Sequence, residues 1–242
     1  MTVACIVQAR LGSSRLPAKV LLPLPTGRTV LEEVLHRCKQ IPGVDVVVCA
    51  IPDTAENDIL ASVLDEMFRD ESWSYGIEQA VVRGPEHDVL ARYVKAAEAV
   101  KADVIMRITA DCPLVDPEVC GQVLALAKER EAGYASNVWP DRTFPQGFDC
   151  EVFTRHVLHL AHKEIPPFYE NVPMAGGGLE GREGLGAMYR EHAGCTWMQG
   201  QEFGNVCLRS ERNRSSEQLT LDTIHDYRRI WSVFEQQMRE AA

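Results

Sequence analysis

TVACIVQARLGSSRLPAK, residues Thr2 to Lys19, joins two kinds of sequence. Thr2 to Gln8 is a β-rich apolar run without charge, as a strand buried on both faces requires. Ala9 to Pro25 is a loop punctuated by Gly12, Pro17, Pro23 and Pro25. Gly12 permits a tight backbone, Ser13 and Ser14 supply hydroxyls and N–H donors, and Arg10, Arg15 and Lys19 bring three cations. A loop of this kind can cradle a polyphosphate, with backbone donors giving shape and cations neutralising charge. The Walker pattern GxxxxGK[ST] is absent, and a solvated basic loop would have the same composition.

Downstream, strand and helix alternate. Thr29 to Gln40 has helical spacing, Asp45 to Ala50 reads as a second buried strand, and Thr54 as the N-cap of a helix to about Phe68. Ala80 to Val82, Asp103 to Ile108 and Tyr134 to Val138 read as further strands, with helices over Glu86 to Val100 and from Asp116-Pro117 to about Arg130. The pattern predicts an α/β fold, a three-layer Rossmann-like, mostly parallel sheet with helices on both faces. Ligands in such sheets sit beyond the carboxyl ends of the strands, here at Ala9 to Lys19, Ile51 to Asp53, Arg83 to Asp88 and Thr109 to Leu114. After Pro140 the rhythm changes: a strand over Gly147 to Phe153, a short helix from Thr154, and a glycine-rich stretch within Pro166 to Arg190. Strands near Asn205 to Leu208 and Glu217 to Leu221 precede a last helix from Thr223 to Met238. The whole of 1–242 reads as one domain with a C-terminal excursion over about 140–215.

Composition narrows the function. The 242 residues are 45% apolar and 25% charged, which is globular. No apolar run approaches the roughly 18 residues of a membrane span, and the N-terminus lacks signal-peptide character, so the expected location is cytoplasmic. Eight scattered cysteines with no CxxC pair read as reduced thiols. The net charge of −10 argues against nucleic-acid or anionic-membrane partners. That charge is unevenly spread: residues 1–31 carry Arg10, Arg15, Lys19 and Arg28 and no acid, leaving 21 basic against 35 acidic side chains elsewhere. A small cationic island suits a compact anion.

Asp111 ends a buried strand, where a carboxylate can hold Mg²⁺ on a nucleotide. Asp116 is better read as a helix cap. Asp149 and Glu151 alternate on a strand and so share a face. Asp222 stands between an apolar strand and the last helix, as a cap shared with Thr223 or as a second acid of the site. Gly176, Gly178 and Gly181 match GxGxxG, but no strand precedes them, so the segment reads as a loop. GxSxG, HxxxH and HExxH are absent, which removes serine-hydrolase and zinc-protease readings.

Four segments in order, IVQARLGSSRLPAKVL (Ile6 to Leu21), RGPEHDVLARY (Arg83 to Tyr93), RITADCPLVDPE (Arg107 to Glu118) and LTLDTIHDY (Leu219 to Tyr227), together resemble the cytidylyltransferase family. This is the family of the spore-coat-polysaccharide proteins and the acylneuraminate and ketodeoxyoctonate cytidylyltransferases. The DCPL form and the YxSN stretch at Tyr134 to Asn137 are most similar to the spore-coat branch. The resemblance implies a nucleotide-diphospho-sugar transferase fold and Mg²⁺-dependent transfer of CMP from CTP to an acidic sugar, with release of pyrophosphate. Arg10, Arg15 and Lys19 would then grip the phosphates, with Gly12 and Ser13 in the same loop. Ala9, Leu11 and Arg83 would hold the cytosine end. Asp111 and Asp222 would ligate the metal, and Arg15, Lys19 and Asp111 would be the catalytic set. Asn137, Asp149, Glu151, Arg190 and His192 fall on the acceptor side, and a homodimer is implied.

The sequence departs from the family pattern in its glycine-rich loop near 173–186, in an insertion over Ser72 to Ile77, and at Ala18, Ala110 and Ile224, where relatives often carry Gly, Gly and Pro. None of these removes a charged group. Two other readings stay open: a nucleotidyltransferase with a phosphate or phosphonate acceptor, and a catalytically idle nucleotide-binding subunit of a polysaccharide pathway.

Overall fold

The computed structural model describes residues 1–70, 76–165 and 198–241. Its centre is β1 (Val3–Gln8), which pairs in parallel with β2 (Val46–Pro52) on one side and β4 (Val104–Thr109) on the other. β3 (Glu78–Gly84) extends the sheet beyond β2, and β6 (Glu151–Thr154), β5 (Tyr134–Ser136) and β7 (Val206–Cys207) extend it beyond β4. The order of the seven strands is β3-β2-β1-β4-β6-β5-β7, with β6 antiparallel to both neighbours.

Strand alternation divides the core into two layers. Val3, Cys5 and Val7 pack with α1 (Val30–Cys38), α2 (Asp58–Arg69) and α4 (Pro117–Glu129). Ala4 and Ile6 pack on the other face with α3 (Val89–Ala99) and α5 (Arg155–Glu164). A third cluster joins Leu24, Val30 and Leu114 to Leu219, Leu221 and the inner face of α6 (Ile224–Ala241), at Ile230 and Phe234. That cluster holds the segment carrying Asp222 against the end of β4. Among the described residues no helix is long and apolar enough to cross a membrane, and the seven described cysteines are free thiols.

Local chemistry explains the helix starts. Thr29 and Glu32 form a capping box on α1, Asp88 caps α3, Asp116 caps α4 ahead of Pro117, and Thr154 caps α5. Thr54 departs from expectation: it precedes a single 3₁₀ turn, Ala55–Asn57, its side chain caps no backbone N–H, and α2 starts only at Asp58. Its hydroxyl instead accepts from Asn57 Nδ2 at 2.9 Å. β3 is longer than the sequence indicates, and β5 and β6 are shorter. Glu217 to Leu221 forms no strand, only one bridge between Gln218 and Gln146.

That bridge depends on a glycine. Gly147 has φ of +100°, and a Cβ there would lie 2.6 Å from the Leu219 carbonyl carbon. Gly147→Ala is therefore expected to destabilise the protein by about 2–4 kcal/mol, through left-handed strain plus overpacking, read as a lowered denaturation midpoint. A midpoint equal to wild type would mean the two backbones do not pack so closely.

Candidate active site

The loop after β1 is fixed by partners far away in sequence. Ala9 N–H donates to the Ala50 carbonyl at 3.1 Å, and Ala18 N–H closes the loop onto the Leu11 carbonyl at 3.0 Å. Leu11 N–H donates to Asn57 Oδ1 at 3.0 Å, and Asn57 is fully buried. Ser13 Oγ accepts from Leu16 N–H at 3.4 Å, turning the chain back. Ala18 sits at φ 53°, in the left-handed region that favours glycine. Lys19 then opens a 3₁₀ turn, Lys19–Leu21, and its side chain enters the site.

Lys19 Nζ donates to Asp111 Oδ2 at 2.8 Å, to Asp222 Oδ1 at 3.0 Å and to the Leu221 carbonyl at 2.6 Å. All three ammonium donors are used. Arg15 Nη2 reaches the same Asp222 oxygen at 2.8 Å while its side chain stays 60% exposed. The backbones beneath are joined too, since Leu221 N–H donates to the Asp111 carbonyl at 2.8 Å. Residues 111 apart in sequence thus present two carboxylates to one cationic point. Burial tends to raise the Asp111 pKa, but the Lys19 charge and the hydrogen bonds from Lys19 and Thr109 outweigh it and hold it below the ordinary carboxylate value. Asp222 is not the cap of α6. Thr223 Oγ1 accepts from Asp226 N–H, leaving the Asp222 carboxylate free to face Lys19 and Arg15.

Around this centre opens a cavity of about 580 Å³, lined by six cationic side chains and four carboxylates. Ala9, Arg10, Gly12, Ser13, Arg15 and Lys19 form its loop side. Among the described residues, no carboxylate pairs with Arg10. The opposite wall is built of matched pairs. Arg107 and Glu151 are cross-strand partners in β4 and β6, joined at 2.6 Å. Tyr134 donates to the other Glu151 oxygen at 2.6 Å and accepts from Gln199 Nε2 at 3.0 Å. Arg142 forks onto Asp149 at 2.5 and 2.8 Å. Cys112 also lines the cavity, and burial together with the Asp111 and Asp149 charges pushes its thiol pKa well up.

Some expected site residues lie elsewhere. Arg83 does not line the cavity: its guanidinium is held by Asp58 at 2.6 Å, the Thr54 carbonyl at 3.0 Å and Asp53 at 3.4 Å. Leu11 contributes its side chain to the core, at 8% exposure. Asn137 is fully buried and stitches β5 to the approach of β6, accepting from Cys150 N–H and donating to the Phe148 carbonyl. It is not among the residues that line the cavity. Arg190, His192 and the 173–186 loop lie outside the described residues. The sequence reading missed Arg92, Arg107, Arg142, Tyr134 and Gln199. Arg107 falls inside a quoted motif, and its strand position two before Thr109 is the signal that puts it on the same side.

A family model described as cytidylyltransferase matches residues 4–154, more than half of the chain. The chain belongs to the cytidylyltransferase family. Its similarity to the spore coat polysaccharide biosynthesis protein SpsF of Bacillus subtilis is 44% identity over 119 residues, spanning 47% of this chain and only 45% of that protein. The 3-deoxy-manno-octulosonate cytidylyltransferase of Maricaulis maris is 28% identical over 215 residues, 78% of each. Among solved structures, a cytidylyltransferase from Leptospira borgpetersenii superposes with a TM-score of 0.73 at 28% identity, covering 96% of this chain and 86% of that one. The strand order and a cavity at the carboxyl edge of the sheet agree with the nucleotidyltransferase fold of these neighbours.

Proposed function

We propose that this chain transfers CMP from CTP to a hydroxyl of a small acidic sugar and releases pyrophosphate. The observation that carries the reading is the Lys19 ammonium between Asp111 and Asp222, beside the Arg10–Arg15 loop, at the mouth of the cavity. Two carboxylates from separate segments, converging within 3.0 Å of one cation, fit a divalent ion that takes its remaining ligands from substrate phosphates and water. Asp111 and Asp222 would hold Mg²⁺, which supplies charge neutralisation at the triphosphate when bound.

The chain's own residues do the rest. Arg10, Arg15 and Lys19 bind the phosphates and stabilise the charge that develops on the departing pyrophosphate oxygen. The acceptor hydroxyl forms its new bond to the α-phosphorus as the bond to pyrophosphate breaks, so no protein nucleophile is needed. Asp149 and Glu151 aim Arg142 and Arg107 across the cavity, where guanidinium groups suit an acceptor carboxylate and its hydroxyls. Arg83 is left with no part in this reading. A homodimer, cytoplasmic location and choice of Mg²⁺ are proposed with it, on family likeness.

Pyrophosphate release measured with the four nucleoside triphosphates against acidic sugars, neutral sugars and sugar phosphates tests this directly. The expected result is turnover with CTP and an acidic keto-sugar, abolished by EDTA and restored by Mg²⁺. Turnover confined to phosphorylated acceptors would replace the acceptor, and tight CTP binding with no turnover on any acceptor would make the chain a binding subunit.

A further inference from the structure

The first turn of α6 holds one carboxylate with more partners than a cap needs. Asp226, 8% exposed, accepts on Oδ2 from Thr223 N–H and Thr223 Oγ1, both at 2.8 Å, and from Asp222 N–H at 3.3 Å. Its Oδ1 accepts from Arg229 Nη1 at 3.2 Å, and the same Arg229 nitrogen donates to the Gln218 carbonyl at 2.8 Å. With Thr223 Oγ1 accepting from Asp226 N–H, the pair forms a capping box. The protein contains a second box for comparison. Glu32 of α1 occupies the same box position and accepts only from Thr29 N–H among the bonds described. Asp226 does what Glu32 does, and also reaches back to the residue before the cap and forward, through Arg229, to the start of the segment 218–222.

That segment has little else to position it from the helix side. Leu219 and Leu221 are buried on the α6 cluster, so Thr220 and Asp222 face the cavity. The direction of the Asp222 carboxylate depends on the backbone on either side of its Cα, and Asp226 accepts from both flanking N–H groups, that of the Leu221–Asp222 peptide and that of the Asp222–Thr223 peptide. We propose that Asp226 is a positioning residue for the metal site: it fixes Asp222 in line with Asp111, without touching substrate or metal. The inference rests on the reading of Asp222 as a metal carboxylate.

The test compares Asp226→Ala, Asp226→Asn, Glu32→Ala and Asp222→Asn in the full chain. Two readouts are taken: the Mg²⁺ concentration for half-maximal pyrophosphate release, and Mn²⁺ bound in the presence of CTP, by electron paramagnetic resonance. Asp226→Ala is expected to weaken metal binding about tenfold, the usual size for losing a residue that orients a ligand, with the rate at saturating metal within about threefold of wild type. Asp226→Asn keeps one acceptor oxygen and the fold, and is expected to fall between wild type and Ala. Glu32→Ala is expected to lower thermal stability while leaving both metal constants at wild-type values. Unchanged metal constants in both Asp226 variants, beside a clear loss in Asp222→Asn, would overturn the positioning role alone and leave a plain cap. Unchanged constants in Asp222→Asn would remove the metal assignment and this inference with it.

Discussion

Asp111→Asn is expected to lower the rate of pyrophosphate release by about two orders of magnitude or more, the scale for losing one charge-stabilising group at a reacting centre. The substitution is nearly isosteric, and the bond that locks the site's backbone, Leu221 N–H to the Asp111 carbonyl, is made by main-chain atoms and survives it. What disappears is one of the two negative charges around Lys19 Nζ. Far-ultraviolet circular dichroism should therefore match wild type while turnover collapses. The acid limb of the stability curve gives an independent check. Lys19 depresses the Asp111 pKa below its ordinary value, so its stabilising contribution is present above the unfolded-state pKa and is lost as pH falls through the folded-state value. Wild type should lose this part of its stability on acidification, and the Asn variant should show a shallower acid loss. Turnover within tenfold of wild type would take Asp111 out of the mechanism.

The sheet was legible because β1 and β2 are apolar runs without a charge and β4 is broken only by Arg107, and because Thr29, Asp116 and Thr154 announce their helices by side-chain chemistry that acts over three residues. Legibility stops where the deciding partner is distant. Glu217 to Leu221 has the alternation of a strand because Leu219 and Leu221 are buried while Thr220 and Asp222 face the cavity, yet among the described residues its one β-bridge is to Gln146 and it forms no ladder. β6 starts at Glu151, one residue after Cys150, whose backbone N–H is taken by the Asn137 side chain. Arg83 carries the charge of a nucleotide contact, but Asp53 and Asp58 at the β2–α2 connection claim it, a pairing thirty and twenty-five residues away. Asn57 organises the phosphate-type loop across 46 residues, and no local pattern marks a buried asparagine as a loop anchor. For Asp111 and Asp222 the motifs sufficed to suggest a pair, but the ammonium between them comes only from the folded chain.

Lys19→Met is expected to lower both stability and turnover while tightening Mg²⁺ binding, a combination that separates it from a general loss of structure. The methionine keeps the length of the side chain and removes the ammonium, so the Asp111 and Asp222 carboxylates and the Leu221 carbonyl are left facing one another. In EDTA the variant should melt at lower temperature than wild type, since like charges in a largely enclosed site lose their counterion. With nucleotide, pyrophosphate release should fall by about two orders of magnitude or more, because the cation proposed to meet the triphosphate is gone. Binding of Mg²⁺ without nucleotide should nevertheless become tighter. On the proposed metal site, a divalent ion in wild type would have to displace an ammonium that satisfies three acceptors at once, whereas in the variant the same acceptors would be open. By linkage, a ligand that binds the folded state more tightly raises the melting temperature further, so the Mg²⁺-induced rise should be larger in Lys19→Met than in wild type. An equal or smaller rise would show that the ammonium and the metal do not compete for one point. The carboxylates would then have gathered around Lys19 for structure alone, and the metal would have to be held elsewhere in the cavity.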